Sequence, residues 1–143
     1  MSGFEELHLE PAVGAALESF GYAVGDAAVR DQAPTAARGH NLVLACPPSA
    51  RYAVPALAGL VSTIARGKRP GLILAPAAAL AEWSAVLIPL CEVAGVSFLA
   101  SDLAVRATRL CREGRLQLLL TTPDTALTLR QRSVLKLEEI GHL

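Results

Sequence analysis

Short aliphatic runs alternate with longer helical patterns through most of this chain, and this alternation constrains its fold more than any other feature. Short strands separated by much longer helices, with short turns between them, are typical of a parallel sheet built from βαβ crossovers. We therefore predict an α/β fold in which helices cover both faces of a mainly parallel sheet. The predicted strands are residues 42–45, 72–75, 96–99 and 116–121, and the predicted helices that follow them are 50–66, 77–94, 103–113 and 123–130.

Two further helical patterns precede the first predicted strand. Pro11 opens one, which Gly21 ends, and Asp26 begins the other, which Pro34 interrupts and Gly39 stops. A chain of 143 residues, 52% of them apolar, can bury the core of one domain. We divide it into a helical segment, 1–40, and an α/β core, 41–143.

Charge and cysteine content restrict the setting in which the chain works. Thirteen basic and thirteen acidic side chains give a formal charge of zero, so no overall field attracts nucleic acid or an anionic membrane. The chain has three cysteines, Cys46, Cys91 and Cys111, which are too far apart for a paired-cysteine zinc motif. Because their number is odd, we favour a reducing compartment. The first residues lack the pattern of a signal peptide, and prolines break the apolar stretch 71–90. We predict an intracellular, cytoplasmic protein that does not enter a membrane.

The segment between the first strand and its helix has the layout of a phosphate-binding loop. Residues 45–55 read Ala-Cys-Pro-Pro-Ser-Ala-Arg-Tyr-Ala-Val-Pro. Such loops use glycines, whose amides approach phosphates closely, and a lysine that supplies charge. This loop contains neither residue. The sequence therefore predicts the frame of a nucleotide-binding domain without its chemistry.

Several short patterns occur in a fixed order along the chain. They are Phe4, Leu7, Leu9, Gly21-Tyr22 and Ala33-Pro34; Tyr52 and Pro55; Leu74-Ala75-Pro76 with Leu80-Ala81; Thr121-Thr122-Pro123; and residues 133–143. Together they resemble the N-terminal domain of DEAD-box RNA helicases up to a point just before the DEAD motif, with the third group as motif Ia and the fourth as motif Ib. That resemblance implies a RecA-like, P-loop NTPase-like sandwich that is incomplete, with ATP, magnesium and RNA as the ligands of an intact member.

The nucleotide-binding positions implied by the resemblance have lost their polar groups. Val29 stands where the family's glutamine reads adenine, and valine has neither donor nor acceptor. Gln32 is nearby, but on a helix it faces another direction. Pro47 and Pro48 remove amide donors from a loop that is also shorter than the family's.

Two residues at the start of the next helix have alternative interpretations. Ser49 is a candidate magnesium ligand or the N-cap of that helix, and we favour the cap. Arg51 is the one cation beside the loop that can meet a phosphate, and we favour a solvated residue at the start of the helix.

The RNA-contacting positions implied by the resemblance are also replaced. Ala77 and Ala78 occupy the Thr and Arg positions of motif Ia, and Ala100-Ser101 stands in place of paired glycines. Thr122 matches motif Ib, although a helix N-cap role explains it equally well. Asp124-Thr125 stands where Gly-Arg is expected.

A basic stripe remains at helical spacing on the helix 103–113. Arg106, Arg109 and Arg112 recur every three residues, with Arg115 just beyond. The stripe is either a residual phosphate-contacting surface or a solvated helix face with cations near the helix C-terminus. We favour the solvated face.

Three functions remain open. The first is a degenerate helicase-like domain that lacks ATPase and unwinding activity and serves as a scaffold or interaction module in an RNA-associated protein, with no cofactor. The alternative is the N-terminal half of an ATP-dependent RNA helicase that binds ATP, magnesium and RNA together with the remainder of a longer chain. The third is an RNA-binding module that works weakly through the arginine stripe without ATP.

The position of the strand 42–45 leads to an expectation about partners. In the family that the chain resembles, this strand lies in the middle of the sheet. Its neighbours there are strands that come later in the sequence than the part corresponding to residues 1–143. An unpaired strand exposes backbone donors and acceptors to other chains. We therefore expect the domain to be part of a longer protein, to bind a protein partner, or to self-associate through that edge.

Overall fold

The computed structural model describes residues 7–143 apart from 24, 46–48, 68 and 115, together with the backbone alone of residue 137. Within these residues the chain forms six α-helices, three β-strands and two 3-10 turns. The helices are α1 Pro11–Ser19, α2 Ala27–Ala37, α3 Ala50–Arg66, α4 Leu80–Ala94, α5 Ala104–Arg112 and α6 Pro123–Gln131; the strands are β1 Gly71–Leu74, β2 Phe98–Ala100 and β3 Leu118–Thr121; the 3-10 turns are Ala77–Ala79 and Leu137–Glu139.

The three strands form one open parallel sheet with β3 in the centre. Gly71 is opposite Leu118 in the pairing of β1 with β3, and Phe98 is opposite the same leucine on the other side. The order in the sheet is β1-β3-β2, so both edge strands pair with the central one. The predicted mixed α/β fold with a parallel sheet is confirmed, and three of the four predicted strands form close to their expected positions.

The prediction of a strand at 42–45 is wrong. Residues 41–45 have no regular secondary structure, and the side chain of Val43 is 95% exposed. A strand is defined by backbone bonds to a neighbour, and the described chain offers residues 42–45 no such neighbour. The outer edge of β1 instead receives His142, whose carbonyl accepts a hydrogen bond from the Leu72 amide at 2.9 Å. The edge strands of the sheet are therefore β1 and β2, and His142 pairs with part of the β1 edge.

Side chains alternate between the two faces of the sheet and separate two cores. The larger core lies between the sheet and α1–α4, and the smaller lies between the sheet and α5–α6. Both faces are covered, which explains why the strands are mainly apolar on both sides. Leu118, Leu120 and Ile73 face the larger core, and Leu119, Leu72 and Leu99 face the smaller one.

A close approach of α2 to α3 fixes the position of the helical segment over the core. A Cβ built on Gly59 would come within 2.7 Å of the Ala33 carbonyl oxygen and of the Ala36 Cβ. Only glycine allows the two backbones to pack this closely, and the facing side of α2 is built from alanines. The contact places α2 alongside α3, near the segment that resembles a phosphate loop.

One helical stretch in the described residues, 77–94, is long and apolar enough to cross a membrane by length and composition. Within the fold it lies against α1, α3 and the sheet. It contributes Leu87, Leu90 and Cys91 to the larger core. Packing therefore accounts for part of its apolar character.

Candidate functional site

The N-terminus of α3 is the position at which a phosphate loop would act, and it holds a carboxylate from another helix. The Ala50 amide donates a hydrogen bond of 2.9 Å to Oε1 of Glu82, and the Ser49 hydroxyl donates to the same oxygen at 2.6 Å. Glu82 lies in the first turn of α4, which follows the carboxyl end of β1. Unpaired amides and the helix dipole at an N-terminus both favour a negative group.

Ser49 has the position predicted for it but performs the capping differently. Its backbone angles, φ −135° and ψ 139°, are those of an N-cap residue, yet its side chain makes no capping bond to the helix amides. Its hydroxyl orients the carboxylate of Glu82, and the carboxylate caps the helix. Pro47, Pro48 and Cys46, which complete the loop, lie outside the described residues.

Arg51 follows the capped residue and is exposed. Its guanidinium carbon lies 5.2 Å from the centre of the Tyr52 ring, a cation–π contact with its sequence neighbour. Among the described residues it has no carboxylate partner. The structure therefore places Arg51 at the solvated start of α3, beside the capped N-terminus.

Pro55 interrupts the hydrogen bonds of α3, and two side chains from outside the helix compensate. Proline has no amide hydrogen, so the carbonyl of Arg51, four residues earlier, has no donor within the helix. The hydroxyl of Tyr22 donates to that carbonyl oxygen at 2.5 Å. Burial raises the pKa of Tyr22 above its usual 10.0, opposed by the nearby Arg51, so the hydroxyl keeps its proton and donates.

The amide of Gln32 contacts the same part of α3. Its Nε2 donates to the Tyr52 carbonyl oxygen at 3.3 Å, and its Oε1 accepts from the Ala56 amide at 3.3 Å. These two backbone groups are the partners that an unbroken helix would join to each other. Gln32 therefore supports α3 beside Pro55. The sequence signal for this support was the Tyr-x-x-Pro pattern, but its partners are distant in the chain.

Val29 lies in the core of the domain. It is fully buried on α2, among the residues that pack in the larger core. A side chain without solvent exposure cannot meet the edge of a nucleotide base. Position 29, which the sequence resemblance aligns with an adenine-reading glutamine, therefore serves packing.

The carboxyl ends of the strands, where open α/β sheets bind ligands, are closed by hydrogen bonds between neighbouring loops. Oγ1 of Thr122 accepts from the Thr125 amide at 3.2 Å and donates to Oγ1 of Thr125 at 3.0 Å. Thr125 in turn donates to the carbonyl of Asp102, just after β2, at 2.9 Å. Thr122 is thus the N-cap of α6, and its hydroxyl is engaged in that role.

The adjacent loops offer little to a phosphate. Ser101 is buried and accepts from the Leu103 amide at 3.0 Å, while its carbonyl accepts from the buried Thr121 hydroxyl at 2.7 Å. Ala77 and Ala78 are exposed in the 3-10 turn after β1 and carry no polar side-chain group. The positions that match motif Ia and the paired glycines therefore present no side-chain donor to solvent.

The arginine stripe lies on the outer side of the opposite layer. Arg106, Arg109 and Arg112 are exposed on α5. Within the part of the chain that the structure describes, none of them has an acidic side chain within ion-pair distance. Arg115 lies outside the described residues.

Burial disfavours the thiolate form of the two described cysteines, and the described metal-binding side chains do not cluster. Burial raises the pKa of Cys91 to about 12 and that of Cys111 above its usual value, so both thiols stay protonated near neutral pH. Among the described residues, no three histidine, cysteine or carboxylate side chains cluster as metal ligands would.

A small cavity of about 100 Å³ lies at the opposite end of the sheet, near the amino ends of β1 and β3. Its walls include Gly71, Cys111 and Leu116, with Leu135 and Ile140 from the C-terminal segment. This lining combines aliphatic side chains with Gln117, Lys136 and Glu139, and it lies away from the N-terminus of α3.

No family model matches the chain, and no similar protein is found among curated ones.

Proposed function

We propose that this chain is a helicase-like α/β domain that does not bind ATP and acts as a scaffold or interaction module in an RNA-associated protein. The observation that carries this proposal is the Glu82 carboxylate at the N-terminus of α3. A nucleotide phosphate at that place would have to displace the carboxylate, breaking its bonds to Ser49 and Ala50. Without displacement, two negative groups would share one helix end.

Two further positions support the same function, since each is engaged in the fold. Val29 is fully buried, which removes the adenine contact. Thr122 caps α6 and is bonded to Thr125, which occupies the position of an RNA-binding arginine. The helicase relationship itself comes from the sequence resemblance.

The alternative, the N-terminal half of an ATP-dependent helicase, requires a rearrangement of Glu82 and a different way of holding the base. Glu82 would have to swing away from α3, and the nucleotide base would have to be held without a side chain at position 29. No contact among the described residues favours that arrangement.

Thermal unfolding with increasing Mg-ATP tests the proposal. A ligand at about 100 times its dissociation constant stabilises the native state by roughly 2.7 kcal/mol. For a domain of this size that raises the Tm by several degrees. We expect no rise with Mg-ATP up to millimolar concentrations, with magnesium alone as the control. A saturable rise that depends on nucleotide concentration would overturn the proposal.

A further inference from the structure

The layer of α5 and α6 presents an outer surface that differs in charge from the rest of the domain. The two helices pack beside each other over the smaller core, joined at their starts by the bond from Thr125 to Asp102. We call their solvent-exposed side the α5–α6 face. Its exposed residues are Val105, Arg106, Arg109 and Arg112 on α5, and Pro123, Asp124, Leu127, Arg130 and Gln131 on α6, so four arginines and one carboxylate lie on it.

Positive charge is concentrated in this part of the chain. Residues 102–132 contain six arginines and three carboxylates, whereas the whole chain has a formal charge of zero. The one ion pair found among the described residues joins Arg66 to Glu10, in the other layer. The guanidinium groups of the α5–α6 face are therefore free to pair with an external anion.

Apolar side chains accompany the arginines. Val105 is 79% exposed and Leu127 is 51% exposed. Val105, Arg109 and Arg112 follow one another at i, i+4 and i+7, so they share one side of α5, with Arg106 adjacent. A surface of exposed aliphatic groups bordered by guanidiniums matches a partner that has both carboxylates and apolar side chains. Arginine pairs with carboxylates through two parallel hydrogen bonds and is enriched at protein interfaces.

Single-stranded RNA fits this face less well. Proteins that bind single strands stack the bases on aromatic side chains, in addition to pairing with phosphates. The described aromatic residues lie elsewhere. Phe20, Tyr22, Trp83 and Phe98 pack against the larger core, and Tyr52 is on α3. The α5–α6 face therefore has the cations for a nucleic acid but no stacking platform among its described residues.

We propose that the α5–α6 face is the docking surface for an acidic amphipathic segment of a partner protein. Carboxylates of the segment pair with Arg106, Arg109 and Arg112, and its apolar side chains cover Val105 and Leu127. This inference rests on the proposed function, since it identifies the kind of partner that the interaction module binds.

A fluorescently labelled model peptide tests the surface. The peptide has about twenty residues, with glutamates and leucines at helical spacing, and its binding is followed by fluorescence anisotropy. We expect saturable binding at about 50 mM salt that weakens about tenfold at about 300 mM salt, because exposed ion pairs are screened. The combined substitutions Arg106→Gln, Arg109→Gln and Arg112→Gln should weaken binding at least about tenfold.

Matched controls distinguish an effect of the α5–α6 face from an effect of the protein's overall charge. Arg30→Gln, Arg51→Gln and Lys136→Gln remove the same charge from exposed positions elsewhere and should change affinity by less than about twofold. Val105→Ser should weaken binding of the same peptide while leaving the net charge unchanged. Thermal unfolding of each variant shows that it is folded.

Three results would overturn the inference. The first is an absence of saturable binding at low salt, and the second is equal binding of a peptide in which every glutamate is glutamine. The third is tighter binding of a poly-uridine oligonucleotide, lost in the same triple variant, which would make the face a nucleic-acid surface. ATP binding is measured in a separate experiment. If the protein binds ATP saturably and also binds the peptide, the proposed function is wrong and the docking surface is retained.

Discussion

Oε1 of Glu82 lies 2.6 Å from the hydroxyl oxygen of Ser49, although 33 residues separate them in the chain. The contact joins the first turn of α4 to the start of α3, and the same oxygen accepts the Ala50 amide. A carboxylate thus satisfies the helix end that a phosphate loop would leave open for a ligand. Of the expected strand, loop and helix, the helix forms and the strand does not, and the N-terminus of the helix holds a carboxylate from within the protein.

Replacing Glu82 with alanine should destabilise the domain by about 1 kcal/mol, because it removes the cap of α3. Glu82→Gln keeps an acceptor oxygen but loses the charge that the helix dipole favours, so its effect should be about half as large. Urea unfolding measures both. Glu92→Ala is the matched control, since Glu92 is exposed on the same helix. Equal effects of Glu82→Ala and Glu92→Ala would mean that the cap contributes nothing.

A double-mutant cycle tests the partnership itself. If the Ser49 hydroxyl acts by orienting the carboxylate, Ser49→Ala should cost much less in a Glu82→Ala background. We expect a coupling energy of about 0.5–1 kcal/mol between the two positions. Additive effects would show that the two side chains act independently.

The Tyr22 hydroxyl should matter only because Pro55 leaves a carbonyl without a donor. Tyr22→Phe removes that hydroxyl and should cost about 0.5–1 kcal/mol in urea unfolding. Pro55→Ala restores an amide at position 55, so the carbonyl of Arg51 regains a donor within the helix. In that background the cost of Tyr22→Phe should shrink towards zero. If Tyr22→Phe lowers the free energy of unfolding equally in both backgrounds, the hydroxyl does not act by compensating for Pro55.

Thr122 should affect stability and leave RNA affinity unchanged. Thr122→Ala removes the N-cap of α6 and should cost about 1 kcal/mol, whereas Thr122→Ser keeps the hydroxyl and should be close to neutral. Binding of a poly-uridine oligonucleotide, measured by anisotropy, should be the same for all three proteins. Weaker RNA binding by Thr122→Ala with unchanged stability would point to a nucleic-acid contact.

Local patterns predicted most of the regular structure. The aliphatic runs that became β1, β2 and β3 and the helices between them follow from periodicity, and Pro123 marks the start of α6 as expected. Gly21 and Gly39 have positive φ angles where the sequence placed helix ends. These features depend on residues close together in the chain, which explains why the sequence was sufficient.

The features that sequence did not predict depend on distant partners. The run at 42–45 has the composition of a strand, but a strand also needs a neighbour, and the described chain gives it none. The capping of α3 by Glu82 and the support of its broken turn by Gln32 join segments that are more than twenty residues apart. The Tyr-x-x-Pro pattern marks the broken turn of α3, but no local pattern identifies Glu82 or Gln32 as the partner.

His142 should make stability depend on pH. Burial and the neighbouring Arg69 lower its pKa in the folded state below the usual 6.5. As the pH falls below about 6.5 the unfolded chain takes up a proton that the folded chain does not, so stability decreases towards the folded-state pKa. Above that window His142 has no effect on the pH dependence. Urea unfolding between about pH 7.5 and about pH 5 should show this loss.

The control for His142 is a side chain that cannot take up the proton. His142→Gln should show a smaller loss of stability over the same pH interval, because its side chain does not titrate. The carbonyl of residue 142, which accepts from the Leu72 amide, remains in place. Identical pH profiles for the two proteins would contradict the assignment.

The amide of Ala50 reports most directly on whether the Glu82 carboxylate or a phosphate occupies the N-terminus of α3. In a ¹⁵N–¹H correlation spectrum, its resonance should stay unchanged as Mg-ATP is added to millimolar concentration, and it should move strongly on Glu82→Ala, which removes its hydrogen-bond acceptor. A saturable shift of the Ala50 resonance with Mg-ATP in the unsubstituted protein would show that a phosphate reaches the N-terminus of α3. That result would contradict the proposal that the domain does not bind ATP.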